Sequence, residues 1–174
     1  MRKVEIAAKI TYCSIEELSA AQKQLVGQAK KACDRAYAPY SDFAVGAALQ
    51  LDNGEIVLGA NQENAAYPSG LCAERVALFA AAARYPQAVP VRLAVAAKRL
   101  APARDMAAPA QAGCSRGESH GFTSRPVTPC GACRQVLSEV ERRYGRSMEL
   151  LLYGEEETAV VSSGADLLPL SFNL

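Results

Sequence analysis

Two short stretches of the chain gather side chains that can bind a metal or move a proton. LCAER, residues 71 to 75, sets Cys72 two places before Glu74 and follows that carboxylate directly with Arg75. PCGAC, residues 129 to 133, places Cys130 and Cys133 one helical turn apart at an expected helix start. On such a turn both sulfurs face one side, and the free backbone N–H groups of the first turn favour thiolates. Taken alone, the C-x-x-C spacing leaves a metal pair, a redox dithiol and a coincidence all open.

Cys72 shifts that balance, because it too falls at an expected helix start. Helices that begin side by side at one end of a sheet can aim their N-termini at one point. Three converging thiolates with a vacant fourth position describe a catalytic zinc, whereas structural sites are closed by four ligands. Three thiolates against a divalent ion leave the cluster one unit negative, so it deprotonates its water poorly. Glu74 can take that proton and return it to a substrate nitrogen, as general base and then general acid. Two residues from Cys72 on a helix, it points elsewhere and need not bind the metal. Arg75, and Arg134 beside Cys133, are candidates to donate to thiolate sulfur and draw charge from the cluster.

The elements that must hold these residues follow from periodicity. Residues 1–13 contain a candidate edge strand, loosely alternating over 4–12. Ser14, with Glu17 three places on, predicts a capped helix whose apolar residues recur from Leu18 to Ala36 and which ends before Pro39. Residues 43–51 and 55–61 predict two strands joined at Asp52-Asn53-Gly54, apolar enough to be covered on both faces. Helices over 71–84 and 131–143, strands over 91–97, 148–153 and 159–162, and a short helical turn near 165–168 complete the order. One domain over residues 1–174 is expected: an α/β protein, a three-layer α/β/α sandwich around a mixed sheet of about five strands. Residues 99–127 read as a long insertion loop without helical or strand period, far longer than the usual connection of about 4–6 residues, and disorder or partial order is expected there.

Composition narrows the partners. Half of the 174 residues are apolar, 21% are charged and the formal net charge is +1. That balance argues against nucleic acid as a partner, since binders of polyanions carry a basic excess. No run of 18 apolar residues predicts a membrane span. Glu5 and Lys9 interrupt the N-terminal stretch, which does not read as a signal peptide. Six cysteines without a secretory signal fit a reducing compartment, and a cytoplasmic location is expected.

CAER at 72–75 and PCGACRQ at 129–135, with SDFAVGAAL at 41–49 and NQENAAYPSG at 61–70, resemble the small cytidine deaminases of pyrimidine salvage. The match runs from about Tyr37 to Phe172, the long loop excepted. The resemblance implies zinc-dependent hydrolytic deamination of cytidine and deoxycytidine to uridine and deoxyuridine. Cys72, Cys130 and Cys133 would hold one zinc per subunit, and Glu74 would carry the proton. Asn61 and Glu63 would hold the ribose 3′ hydroxyl, Phe43 would line the base pocket, and the backbone of Ala73 would meet the base edge. Ala65 and Tyr67 would reach toward a neighbouring subunit's site and Phe172 would close over one, in a homotetramer. Two rivals stand beside this reading. Cys114 or His120, in the long loop, could close the zinc site as a fourth ligand and make it structural. Alternatively the substrate could be a nucleotide, a base in a polynucleotide or another aminopyrimidine, although few aromatics and no dense basic run accompany the motifs.

Overall fold

Alternation along the strands sorts the apolar side chains into two cores on opposite faces of one sheet. The computed structural model describes residues 1–100 and 121–173. Its strands are β1 (Ile10–Cys13), β2 (Phe43–Leu51), β3 (Ile56–Ala60), β4 (Pro90–Arg99), β5 (Glu149–Tyr153) and β6 (Thr158–Val161), in the order β1-β6-β5-β4-β2-β3. Leu93 and Val95 of β4 and Leu150 and Leu152 of β5 face one core; Ala94, Ala96, Leu151 and Tyr153 face the other. Helix α1 (Ala20–Ala32) covers the second face with Leu25, Val26 and Ala29, while α2 (Ala73–Arg84) and α3 (Gly131–Tyr144) cover the first. The three-layer arrangement follows.

The sheet is mixed: β4 and β5 pair in parallel and every other neighbouring pair is antiparallel. It has six strands rather than about five, because the N-terminal edge segment joins it. That segment pairs over Ile10 to Cys13 alone, since its partner β6 offers four residues, Thr158 to Val161.

The start of α1 also differs from expectation. Ser14 and Glu17 do form a capping box, but it closes one 3-10 turn, Ile15–Glu17. Leu18 is then extended and buried, and a second box, Ser19 with Gln22, opens α1 at Ala20. At the far boundary, Arg99 belongs to β4, where it pairs with Phe43. The return of the long insertion is partly ordered: the Thr123 N–H donates to the Ala97 carbonyl at 2.9 Å, and Phe122 bridges to Lys98. Residues 101–120, with Cys114 and His120, lie outside the described residues.

Two connections position the site. Because β3 and β4 both pair antiparallel with β2, they run parallel to each other, and the helices that follow them begin at the same edge of the sheet. Glycine lets α2 sit low on β3: a Cβ at Gly59 would fall 2.3 Å from the Ala73 carbonyl oxygen and 2.6 Å from the Ala77 nitrogen. Among the described residues no helix is long and apolar enough to cross a membrane.

Candidate active site

Helix starts bring the cysteines together. Cys72 is the N-cap of α2 and Cys130 the N-cap of α3, while Cys133 lies in the first turn of α3. The Cys72 and Cys130 sulfurs are 3.6 Å apart, as are those of Cys130 and Cys133, and all three lie within 4.8 Å of one another. A tetrahedral zinc with Zn–S bonds of about 2.3 Å keeps its sulfurs about 3.8 Å apart, close to the spacing of the Cys72–Cys130 and Cys130–Cys133 pairs. Three soft donors, with no fourth in the cluster among the described residues, fit one zinc per chain.

The thiols share charge before any metal enters. Hydrogen bonds from Cys133, Arg75 and Cys130 lower Cys72 to about 5 against the cost of burial, while the same contact with Cys72 and burial push Cys133 up. The shared hydrogen bonds thus favour the thiolate at Cys72 and the thiol at Cys133. Arg75 Nη2 lies 3.6 Å from Cys72 Sγ, and the paired thiolate holds the guanidinium pKa up. Its Nε is buried without a partner among the described residues.

Arg134 departs from its expected place. Its Nε donates to the Pro129 carbonyl at 2.8 Å, Nη1 to the Leu167 carbonyl at 3.2 Å and Nη2 to Thr128 Oγ1. The side chain is held by carbonyls of the segment before α3 and of the turn at Leu167, and donates to no sulfur among the described residues.

Glu74 follows Cys72 on α2 and is 4% exposed. Burial raises its pKa first, and the negative Cys72 adds to the rise; backbone and Cys133 hydrogen bonds and the Arg75 charge oppose it. A carboxyl so placed accepts and releases a proton nearer neutrality than a solvated one.

A cavity of about 530 Å³ opens onto this cluster, within the size range of small-molecule sites. Phe43, Asn61, Glu63, Tyr67, Cys72, Glu74, Arg75 and Cys130 all line it. Asn61 is fixed by the edge of β2: the Val45 N–H donates to its Oδ1 at 2.8 Å, and its Nδ2 donates to the Phe43 carbonyl at 2.9 Å. An amide has one further donor hydrogen and one further lone pair, and these stay available. Glu63 Oε2 accepts from the N–H groups of Tyr40 and Ser41, and its Oε1 from the Ser41 hydroxyl. Cys133 and Ala73 are fully buried behind the cavity wall, and Ala65, Arg134 and Phe172 are not part of it. Phe172 is 68% exposed, its backbone clasped by the Gln135 side chain of α3.

Sequence reasoning missed Tyr40, Ser41, Val127 and Thr128, which also line the cavity. Tyr40 precedes the SDFAVGAAL stretch, Ser41 opens it, and the last two precede PCGAC, so position at or beside the motifs was the available signal.

Comparison with known proteins gives a consistent result. Residues 19–144 match the family described as the cytidine and deoxycytidylate deaminase zinc-binding region. The chain is 40% identical over 119 residues to a cytidine deaminase of Halalkalibacterium halodurans, covering 68% of this chain and 71% of that one. It is 36% identical over 151 residues to a cytidine deaminase of Sporosarcina psychrophila, covering 87% and 90%. The crystal structure of a cytidine deaminase from Burkholderia pseudomallei superposes with a TM-score of 0.63 at 37% identity, covering 89% of this chain and all of that one.

Proposed function

The chain belongs to the cytidine deaminase family, a class of hydrolases, and from that premise we propose that it acts on both cytidine and deoxycytidine in pyrimidine nucleoside salvage. Water adds at C4, the C4–N4 bond breaks, and uridine or deoxyuridine leaves with ammonia. The observation that carries this reading is Glu74, a buried carboxyl beside a three-cysteine cluster in a cavity that also holds Asn61 and Glu63.

Cys72, Cys130 and Cys133 would hold zinc, which would supply Lewis-acid activation of the attacking water. Glu74 takes the proton released by that water and delivers it to the base and then to the departing amine. Arg75, donating to Cys72, draws negative charge away from the sulfurs. Phe43 packs on the base, the backbone of Ala73 meets its edge, and Asn61 and Glu63 hold the ribose 3′ hydroxyl. Tyr67, 76% exposed, and Phe172 are large aromatics that a single chain leaves in water. We assign them, with Ala65, to the sites of neighbouring subunits in a homotetramer. Five free cysteines among the described residues, three of them needed as ligands, suit a reducing cytoplasm.

Free nucleosides are preferred in this reading over the monophosphates that the family description also admits. Among the described residues, Arg75 is the only basic one lining the cavity, and it sits against Cys72. An ultraviolet assay across cytidine, deoxycytidine and their 5′-monophosphates tests the assignment. Clearly higher kcat/KM on the monophosphates would overturn it.

A further inference from the structure

Part of the cavity wall, at Val127, Thr128 and Cys130, comes from the segment that leads into α3. Residues 121 to 126 are laid into a notch between the end of β4 and the turn joining β5 to β6. The Thr123 N–H donates to the Ala97 carbonyl at 2.9 Å, and the Glu155 and Glu156 N–H groups donate to the Thr123 and Ser124 carbonyls, both at 2.9 Å. Phe122 stacks edge-on against Tyr153 at 5.8 Å, with the Lys30 ammonium 4.6 Å from its ring centre. The next two residues, Val127 and Thr128, line the cavity, and Cys130 follows. Whatever sets the height of this strap over the sheet therefore sets one wall and one metal ligand.

Gly154 lies directly under it. A Cβ there would fall 2.6 Å from the Arg125 carbonyl carbon, 2.7 Å from the Pro126 nitrogen and 2.7 Å from the Ser124 carbonyl oxygen. All three are backbone atoms, which cannot rotate aside as a flexible side chain would. Gly54, Gly121 and Gly145 are the described glycines with positive φ, and Gly154 is not among them. The position demands glycine for space and not for backbone conformation, so alanine there acts by lifting the strap.

We propose that Gly154 is a positioning residue for the zinc site, seating the 121–126 strap so that Val127, Thr128 and Cys130 meet the cavity in register with Cys72 and Glu74. The proposal rests on the metal and substrate reading above, but its decisive readout is metal retention, which does not depend on the substrate's identity.

The test compares wild type, Gly154→Ala and Phe122→Ala as zinc-loaded full-length protein, with Gly27→Ala as control, a glycine whose added Cβ meets nothing within 4 Å. Zinc release to excess chromophoric chelator is followed by absorbance, alongside kcat and KM for cytidine and the melting temperature. Gly154→Ala is expected to release zinc at least tenfold faster and to lose at least tenfold in kcat with a smaller change in KM. Phe122→Ala, which loosens the strap without inserting bulk, is expected to release zinc severalfold faster, and Gly27→Ala to match wild type. Melting temperatures that fall while release and kcat stay within twofold would overturn the proposal. Should Gly154→Ala fail to fold, unchanged zinc release in Phe122→Ala would overturn it alone. A wild type that holds zinc but leaves cytidine intact would refute the substrate reading and leave the release comparison to decide this one.

Discussion

Glu74→Gln separates proton transfer from everything else at the site. The substitution preserves side-chain size at a position 4% exposed and leaves the three sulfur donors untouched, so zinc content should stay at one per chain. A positioned acid or base contributes about 10²–10⁴-fold, and Glu74 acts on the same proton in both directions. A loss of about 10⁴-fold or more in kcat is expected, on the order of 5 kcal/mol of transition-state stabilisation. Stability should move the other way. Burial raises the Glu74 pKa above its unfolded value, so between those two values the native state binds more protons than the unfolded one. Stability contributed by this group is therefore present at low pH and is lost as pH rises through the native pKa. Glutamine has no charge to bury, and the metal-free variant should melt higher than metal-free wild type at pH 7 but not at pH 4. The assays are zinc content by metal analysis, turnover by ultraviolet absorbance and melting of chelator-stripped protein. A variant with full zinc and turnover within tenfold of wild type would refute the assignment of Glu74 as the proton carrier.

Further predictions concern the frame. Gly59→Ala should cost about 1–3 kcal/mol or more, because the new Cβ meets the backbone of α2 at 2.3 Å, and should lower activity too, since the displaced turn carries Cys72 and Glu74; denaturant melts and kcat check both. Glu141→Ala should destabilise by about 3 kcal/mol while leaving kcat of the folded fraction near wild type. The buried Glu141 carboxylate accepts from the N–H groups of Met148, Gly164 and Ala165 and from the Ser163 hydroxyl, and its loss leaves those donors unpaired. Cys33 is pushed up to about 11 from 9.0, chiefly by burial, so native protein should lose about 1 kcal/mol between pH 8 and pH 10 as the unfolded thiol ionises first. Cys33→Ala should flatten that alkaline slope in melting temperature, and the native Cys33 thiol should resist alkylation at pH 8.

Much of the architecture was legible because the strands are strongly apolar and end in clear turn residues. β2 falls on the expected 43–51, and α3 begins at the expected Gly131. Where expectation failed, two local signals of equal strength competed. Ser14 with Glu17 and Ser19 with Gln22 are both capping boxes, and spacing cannot tell which one opens the long helix; the burial of Leu18 between them decides it. Arg134 failed for a related reason. Its sequence neighbour is Cys133, but its guanidinium is held by the Pro129 carbonyl and, through tertiary packing, by the Leu167 carbonyl. The convergence of Cys72 and Cys130 across 58 positions was legible only through the topology, since both helices follow strands that flank β2 in parallel. Gly154 carried no readable signal, because its neighbours Ser124 to Pro126 approach it through tertiary packing alone.

Charge around the cavity bears on the kind of substrate it can accept. Three thiolates and a divalent zinc leave one net negative charge, which Arg75 at 3.6 Å from Cys72 offsets. Burial disfavours the charged form of Glu74. Among the described residues lining the cavity, Glu63 is the remaining acidic one, and its partners are neutral N–H and hydroxyl groups. A phosphate held about 6 Å from that carboxylate would meet a repulsion of about 3 kcal/mol per unit charge at an effective dielectric of about 20, roughly a hundredfold in binding. A ribose hydroxyl meets no such cost and can donate to the same oxygen. On the proposed reading, a carboxylate that holds a sugar hydroxyl also disfavours a phosphate ester, which supports the assignment to free nucleosides.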